Sequence, residues 1–463
     1  MLTYDLDKRG SLARYDYLYR CIKEDILAGR IGPGEKLPSK RTLAAHLNTA
    51  VVTVENAYAQ LEAEGYLRAR EKRGYFVCPV EARIRSGEPP KPWKEEREIP
   101  WLLDLSATGG GTEGFPFSVW ARLTRRVLTE GGETLLRATP HSGAAELRTA
   151  ISRHLYRFRG ISADPEQIVV GAGTEYLYNL LVQLLGRDRV YGLEDPGYSK
   201  AERVYTLNGA QCVFLPVDRQ GVPIALLEKS GCQVLHVSPN HQFPTGVVTP
   251  ISRRQGMLRW AGREEGRYII EDDYDSEFRF TGRPIPTLQS IDTEGRVIYV
   301  NTFSRTLAPS LRIGYMVLPY PLLEEYRRRL GFYSSTVPAI EQYTLARFLE
   351  EGYFERHLNR MRTFYRGRRD QVIGAVLSSP LAGRCRVLGE EAGLHFLMKL
   401  DTALDDQSLT ARGEKAGIRL SFLTQYQRQP GTAPEHILVV NYPGLDPEEI
   451  KKGLEVLAKC LDE

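Results

Sequence analysis

Apolar residues recur at helical spacing near the start of the chain, at Leu18, Ile22 and Ile26. Gly29 and then Gly32-Pro33-Gly34 end that run. Ser39, after Leu37-Pro38, is placed as the N-cap of a second helix that begins Lys40-Arg41-Thr42-Leu43-Ala44. A third helix is predicted over roughly 51–64, with Val54, Ala57, Tyr58 and Leu61 on its apolar face and Gly65 closing it. Residues 67–77 read as a hairpin around Lys72-Arg73-Gly74. The pattern then lapses. Residues 81–100 carry Gly87-Glu88-Pro89-Pro90-Lys91-Pro92 and a charged run, so they read as an extended linker. From Trp101 onward short apolar runs alternate with helical stretches, as in α/β domains. Ile168-Val169-Val170, Val190-Tyr191, Val234–Val237, Tyr268-Ile269-Ile270 and residues 297–300 are the expected strands.

Composition narrows this picture only a little. The 463 residues suffice for two or three domains. A net charge of +4 neither requires nor excludes nucleic acid, because a local basic face matters more than the total. Residues 11–80 hold 11 Lys/Arg against 8 Asp/Glu, a modest surplus for a DNA-binding unit. The 6 cysteines form no Cys-x-x-Cys pair, which fits reduced thiols in a cytoplasmic protein and no zinc site. No signal-like apolar segment opens the chain and no run of about 18 apolar residues occurs, so no membrane partner is expected.

The candidate chemistry sits where strands end. Ile168-Val169-Val170 runs into Gly171-Ala172-Gly173-Thr174-Glu175, and backbone N–H groups at a helix start suit a phosphate. Tyr198 follows Val190-Tyr191 and has a face that could stack on a flat ring. Asp272 and Tyr274 follow Tyr268-Ile269-Ile270, and carboxylates at strand carboxyl ends are where α/β sheets place ligand chemistry. His241 and His395 lie at no metal-ligand spacing and read as structural histidines, with a place in the pocket left open for His241.

The first 80 residues resemble the winged helix-turn-helix of the GntR family. The matching residues include Gly32-x-Gly-x-x-Leu37-Pro38-Ser39-Lys40-Arg41-x-Leu43-Ala44, Thr53-Val54, Ala57-Tyr58, Gly65-Tyr66 and Gly74-Tyr75-Phe76-Val77. The resemblance implies a recognition helix in the major groove and a wing on the backbone or minor groove. Ser39, Lys40, Arg41, Thr49, Thr53, Asn56, Lys72 and Arg73 are the residues placed to meet double-stranded DNA. The family commonly has Ser-Arg where this chain has Ala50-Val51, so two polar groove contacts are missing.

Residues 101–463 resemble the fold type I, pyridoxal phosphate (PLP)-dependent aminotransferases, with a smaller C-terminal α+β subdomain from roughly residue 345. Together with the head, the chain resembles MocR-type transcriptional regulators. The resemblance implies that Asp272 pairs with the pyridine nitrogen, Tyr274 meets the 3′-oxygen and Tyr198 stacks on the ring. Gly173, Thr174, Thr302, Ser304 and Arg312 would cradle the phosphate. Arg305 stands where the Schiff-base lysine belongs. A lysine costs about 4.6 kcal/mol to deprotonate at pH 7, and an arginine at least roughly 7.5 kcal/mol. The guanidinium therefore stays charged, and PLP would be held without a covalent bond or not at all. Arg305 as a natural change and Arg305 as an engineered replacement leave the same chemistry.

The resemblance further implies a head-to-tail homodimer and a small-molecule effector. The arginine that grips a substrate carboxylate in this fold has no counterpart in residues 438–445; Arg419 and Arg428 are the nearest candidates and Lys200 is another, and Lys200, His241 and Arg428 are the expected effector contacts. The expected function is a DNA-binding transcriptional regulator that senses PLP, a PLP adduct or another small anion. The alternative, an aminotransferase with an accessory head, is disfavoured because Arg305 can neither bind the aldehyde nor move its proton.

Overall fold

The computed structural model describes residues 2–80, 101–106, 114–280 and 285–462. The chain divides into two compact units, Met1–Glu98 and Ile99–Glu463. The expected linker, residues 81–100, lies outside the described residues.

The first unit holds helices α1 (Arg14–Leu27), α2 (Lys40–His46) and α3 (Val51–Ala63), then strands β1 (Leu67–Arg70) and β2 (Gly74–Val77). Leu18 and Ile22 of α1 are fully buried, and they share one core with Leu43, Val54, Tyr58 and Leu61. The Ser39 hydroxyl accepts the Thr42 N–H at 3.1 Å, which is the N-cap expected at the start of α2. β1 and β2 pair antiparallel with Leu67 opposite Val77 and Arg70 opposite Gly74. Lys72 sits at the hairpin tip with φ +58°, a left-handed conformation that tight turns require.

The second unit is built on a seven-stranded sheet. Beyond β3 (Leu103–Asp104), its strands are β4 (Ile168–Gly171), β5 (Val190–Asp195), β6 (Gln211–Pro216), β7 (Val234–Val237), β8 (Tyr268–Asp272), β9 (Val297–Thr302) and β10 (Gly314–Val317). Their spatial order is β4-β10-β9-β8-β7-β5-β6. β5 to β9 pair in parallel, and β10 runs antiparallel to both of its neighbours. β4, β7, β8, β9 and β10 are buried along their whole length, which is why they read as continuous apolar runs rather than alternating ones. Because β4, β5, β7, β8 and β9 point the same way, their carboxyl ends and following loops open along one edge of the sheet.

The C-terminal part adds β11 (Cys385–Leu388), β12 (His395–Leu400), β13 (Ile418–Arg419) and β14 (Ile437–Asn441). β11, β12 and β14 form an antiparallel sheet, reached through the helix Tyr353–Leu377. β3 pairs with β13, 315 residues further on in sequence (103 to 418), and Leu103 and Leu105 join the core of this C-terminal part. A two-residue strand carries no sequence signal of the core it enters, so this long-range pairing is visible only in the structure.

Candidate functional site

The loops after β4, β5, β7, β8 and β9 line a cleft of about 310 Å³, near the lower end of small-molecule sites at about 300–1,000 Å³. Thr174, Tyr198, Asp272, Tyr274, Thr302, Ser304, Arg305 and Arg312 all face it, as does Lys200. The sheet edge thus gathers the residues singled out at the strand ends, Arg305 among them.

Asp272 ends β8 and is only 6% exposed. Its Oδ2 accepts the Tyr178 hydroxyl at 2.5 Å and lies 3.6 Å from His236 Nε2. His236 Nδ1 in turn pairs with the Tyr205 hydroxyl at 2.7 Å. Asp272 Oδ1 is buried and has no hydrogen-bond partner among the described residues. A buried carboxylate oxygen left without a donor costs about 1–3 kcal/mol or more, so this atom is an open acceptor at the end of β8. Tyr178 was not among the expected site residues. Its only signal was one polar atom in an otherwise apolar stripe of the helix Thr174–Leu185.

The end of the cleft beside the Thr174 helix is equally defined. Gly173 has φ +89°, and a side chain there would come within 2.7 Å of the Arg312 guanidinium. Arg312 itself has φ +50°, a left-handed conformation that a non-glycine residue adopts at some cost. The turn returns its side chain to the Thr174 helix start, where Nη2 donates to Glu175 at 2.7 Å. Lys200 Nζ lies 3.5 Å from the other Glu175 oxygen. For Glu175, burial works upward, but the Arg312 hydrogen bond and neighbouring cations outweigh it and hold the carboxyl below its ordinary value. Thr302 Oγ1 accepts the Ser304 N–H at 3.1 Å and donates to the Ser304 hydroxyl at 3.0 Å, which sets both hydroxyls beside the cup.

Tyr274 is pushed well above its ordinary value, chiefly by burial and then by Asp275 beside it, so it stays a phenol. Its hydroxyl is 3.2 Å from His241 Nδ1, which also meets Asp275 at 2.9 Å. His241 therefore stands behind Tyr274 and does not line the cleft, which corrects its expected place as an effector contact. His395 Nε2 donates to the Pro244 carbonyl at 3.0 Å, and burial with His241 nearby pushes this imidazole down to about 3. Ligand-capable atoms of His241, Asp275 and His395 lie within 4.8 Å of one another. The fold makes this neighbourhood, not sequence spacing, and the hydrogen bonds just given already engage it.

Arg428 is also displaced from its expected role. It borders a side chamber beside the cleft, and its Nε donates to Glu202 at 2.5 Å. At the floor of that chamber Glu194 is pushed up to about 8 by burial, against the Ser238 N–H it accepts at 3.1 Å. Asp273 is turned away from the cleft. It accepts from Arg159 at 2.5 Å, Tyr299 at 2.6 Å and Asn240 at 2.7 Å.

In the head, Arg41, Lys72 and Arg73 are exposed and Asn56 stands on the outer face of α3. Lys40 leans onto α3, 2.6 Å from Glu55, and its ammonium lies 5.6 Å from the centre of the Tyr75 ring. The Thr49 hydroxyl oxygen is buried, which removes Thr49 Oγ1 from the expected DNA-facing set.

Two families match the chain. Bacterial regulatory proteins of the gntR family match residues 14–77, and class I and II aminotransferases match residues 107–457. The probable rhizopine catabolism regulatory protein MocR of Rhizobium meliloti is 32% identical, over 98% of this chain and 94% of its own length. The chain belongs to the MocR-type transcriptional regulators. An uncharacterized HTH-type transcriptional regulator of Bacillus subtilis, YdeL, is 37% identical over 98% of both chains. The pyridoxine biosynthesis regulator PdxR of Corynebacterium glutamicum is 30% identical, over 93% of this chain and 92% of its own. Among solved structures, an archaeal alanine:glyoxylate aminotransferase superposes with a TM-score of 0.69 at 25% identity, over 78% of this chain and 91% of that one. This MocR-type chain thus pairs a GntR-type DNA-binding head with a fold type I aminotransferase domain.

Proposed function

We propose that this MocR-type regulator binds a PLP-type ligand in the large-domain cleft without covalent attachment, and that the bound ligand sets the head's affinity for its operator. The observation that carries the reading is Asp272 Oδ1, a buried carboxylate oxygen with no donor among the described residues, in a cleft that Thr174, Thr302, Ser304 and Arg312 also line. Asp272 would take the pyridinium proton, with Tyr178 fixing the carboxylate and Tyr274 offering a phenol to the ring oxygen. Tyr198 would lie against the ring. Gly173, Thr174, Thr302, Ser304 and Arg312 would hold the phosphate. The ring, when bound, supplies an electron-withdrawing surface and an aldehyde.

Arg305 directly follows Ser304, and both line the cleft. It serves this reading as a fixed cation that attracts an anionic ligand but forms no carbon–nitrogen bond to it. On this reading the chain is a sensor and not an aminotransferase, because no amine in the motif can attack the aldehyde. Regulation follows if the ligand binds two arrangements of the protein, as the expected homodimer, with different affinity.

The test is an absorption titration of native protein and an Arg305→Lys variant with PLP, each followed by borohydride reduction and mass analysis. The expected result is saturable, reversible binding by the native chain and a reduced adduct at position 305 in the variant alone. Absence of saturable binding in both proteins overturns the reading, and so does steady transamination by the native chain.

A further inference from the structure

The outward face of α3 points to what the head reads. α3 buries Val54, Ala57, Tyr58 and Leu61. Its opposite face is then Val52, Glu55, Asn56 and Ala59, at spacings of three and four residues, and all are exposed. Val51 and Val52 at the helix start are 43% and 61% exposed. β-branched residues gain nothing as solvated helix positions, so this wet apolar pair calls for a surface to cover it.

Charge says which surface. No lysine or arginine occurs between Arg41 and Arg68, so α3 carries no cation of its own. Of its two exposed acids, Glu55 is engaged by Lys40 at 2.6 Å, and Glu62, at the far end of the helix, accepts the Ala69 N–H at 2.9 Å. The cations stand on either side instead: Arg41 on α2, and Arg68, Arg70, Lys72 and Arg73 on the hairpin, all exposed. A cation-free helix with an apolar tip, flanked by cations, fits a major groove whose walls are phosphate and whose floor of polar base edges also presents thymine methyl groups. In the major groove, guanine is read by Arg or Lys. The C5 methyl of thymine is read by apolar side chains, and adenine N6 and N7 are read by Asn or Gln.

We propose that α3 reads A·T pairs: Val51 and Val52 cover thymine methyl groups, Asn56 pairs with an adenine edge, and the flanking cations bind phosphate. The proposal deepens the DNA-binding reading of the head and rests on it.

The full-length protein is first used to select duplexes from a random library. The selected duplex is then compared, by fluorescence anisotropy, with one in which thymines of the half-site are replaced by uracil, which lacks only the methyl. The expected outcome is an A·T-containing half-site and about fourfold weaker binding per lost methyl, roughly fifteenfold for two. Val52→Ser should weaken binding to the thymine duplex and shrink the uracil penalty, with the salt slope unchanged because no phosphate contact is lost. Equal binding of thymine and uracil duplexes, or G·C pairs opposite α3, overturns the proposal while leaving DNA binding intact. Unchanged DNA binding by Val52→Ser also overturns it, and would assign the valines to a protein surface. A selection that enriches nothing overturns the DNA reading and this inference together.

Discussion

Replacing Asp272 by asparagine isolates the contact on which ligand recognition turns. The substitution keeps size and shape. The new amide oxygen still accepts the Tyr178 hydroxyl, which now lies 2.5 Å from Oδ2. Because that hydroxyl stays satisfied, the fold should lose little. What changes is the other oxygen. Asp272 Oδ1 is a buried carboxyl oxygen with no donor among the described residues, and an asparagine whose oxygen stays on Tyr178 puts an N–H donor there. A charge-assisted hydrogen bond contributes about 1.5–3 kcal/mol, so binding of a protonated pyridine ring should weaken roughly 10- to 150-fold. The probe is 4′-deoxypyridoxine 5′-phosphate, whose missing aldehyde prevents attachment to surface lysines. Isothermal titration gives its affinity, and inorganic phosphate serves as the control because Asp272 is not part of the cup. Thermal unfolding checks that the variant is folded. If the Asp272→Asn protein binds the probe within threefold of the native one, no ring nitrogen meets this carboxylate and the assignment of the cleft is wrong.

Glu175→Gln should tighten phosphate binding by about 1.5- to fivefold, because it releases Arg312 and Lys200 from a partly exposed carboxylate. The measurement is the affinity for PLP against that for pyridoxal, and an unchanged ratio would remove Glu175 from the cup. Glu194 supplies a pH signature. Its folded value of about 8 lies above that of an unfolded glutamate, so the folded state binds the extra proton between about 4.5 and 8. Stability from this group is therefore complete at low pH and is lost as pH rises to about 8. Glu194→Gln should flatten that slope, so that the variant gains on the native protein at pH 8.5 relative to pH 5 in thermal melts. Parallel melting curves would show that Glu194 titrates normally.

Much of this protein is written in short stretches. β4, β7, β8, β9 and β10 are continuous apolar runs because they are covered on both faces, and candidate site residues follow at the carboxyl ends of β4, β5, β8 and β9. Thr174, Tyr198, Asp272 and Tyr274 stood out beside strand ends, the Thr302–Arg312 motif stood out through its family resemblance, and the fold brings them to one cleft. The helices and hairpin of the head were likewise local, since an N-cap serine, apolar spacing and a glycine turn each act within a few residues.

What depended on tertiary structure is the partner of each side chain. Tyr178 and Asp272 are 94 residues apart, and Arg312 and Glu175 are 137 apart. Periodicity says that a face is buried but not against what, so it missed Tyr178. It also left His241 facing the cleft when it stands behind Tyr274, and gave Arg428 to an effector when Glu202 holds it. Sequence determined which residues stand at the ends of strands and helices. Only the packed structure decided which of their atoms were already engaged by the protein, and so which remain for a ligand.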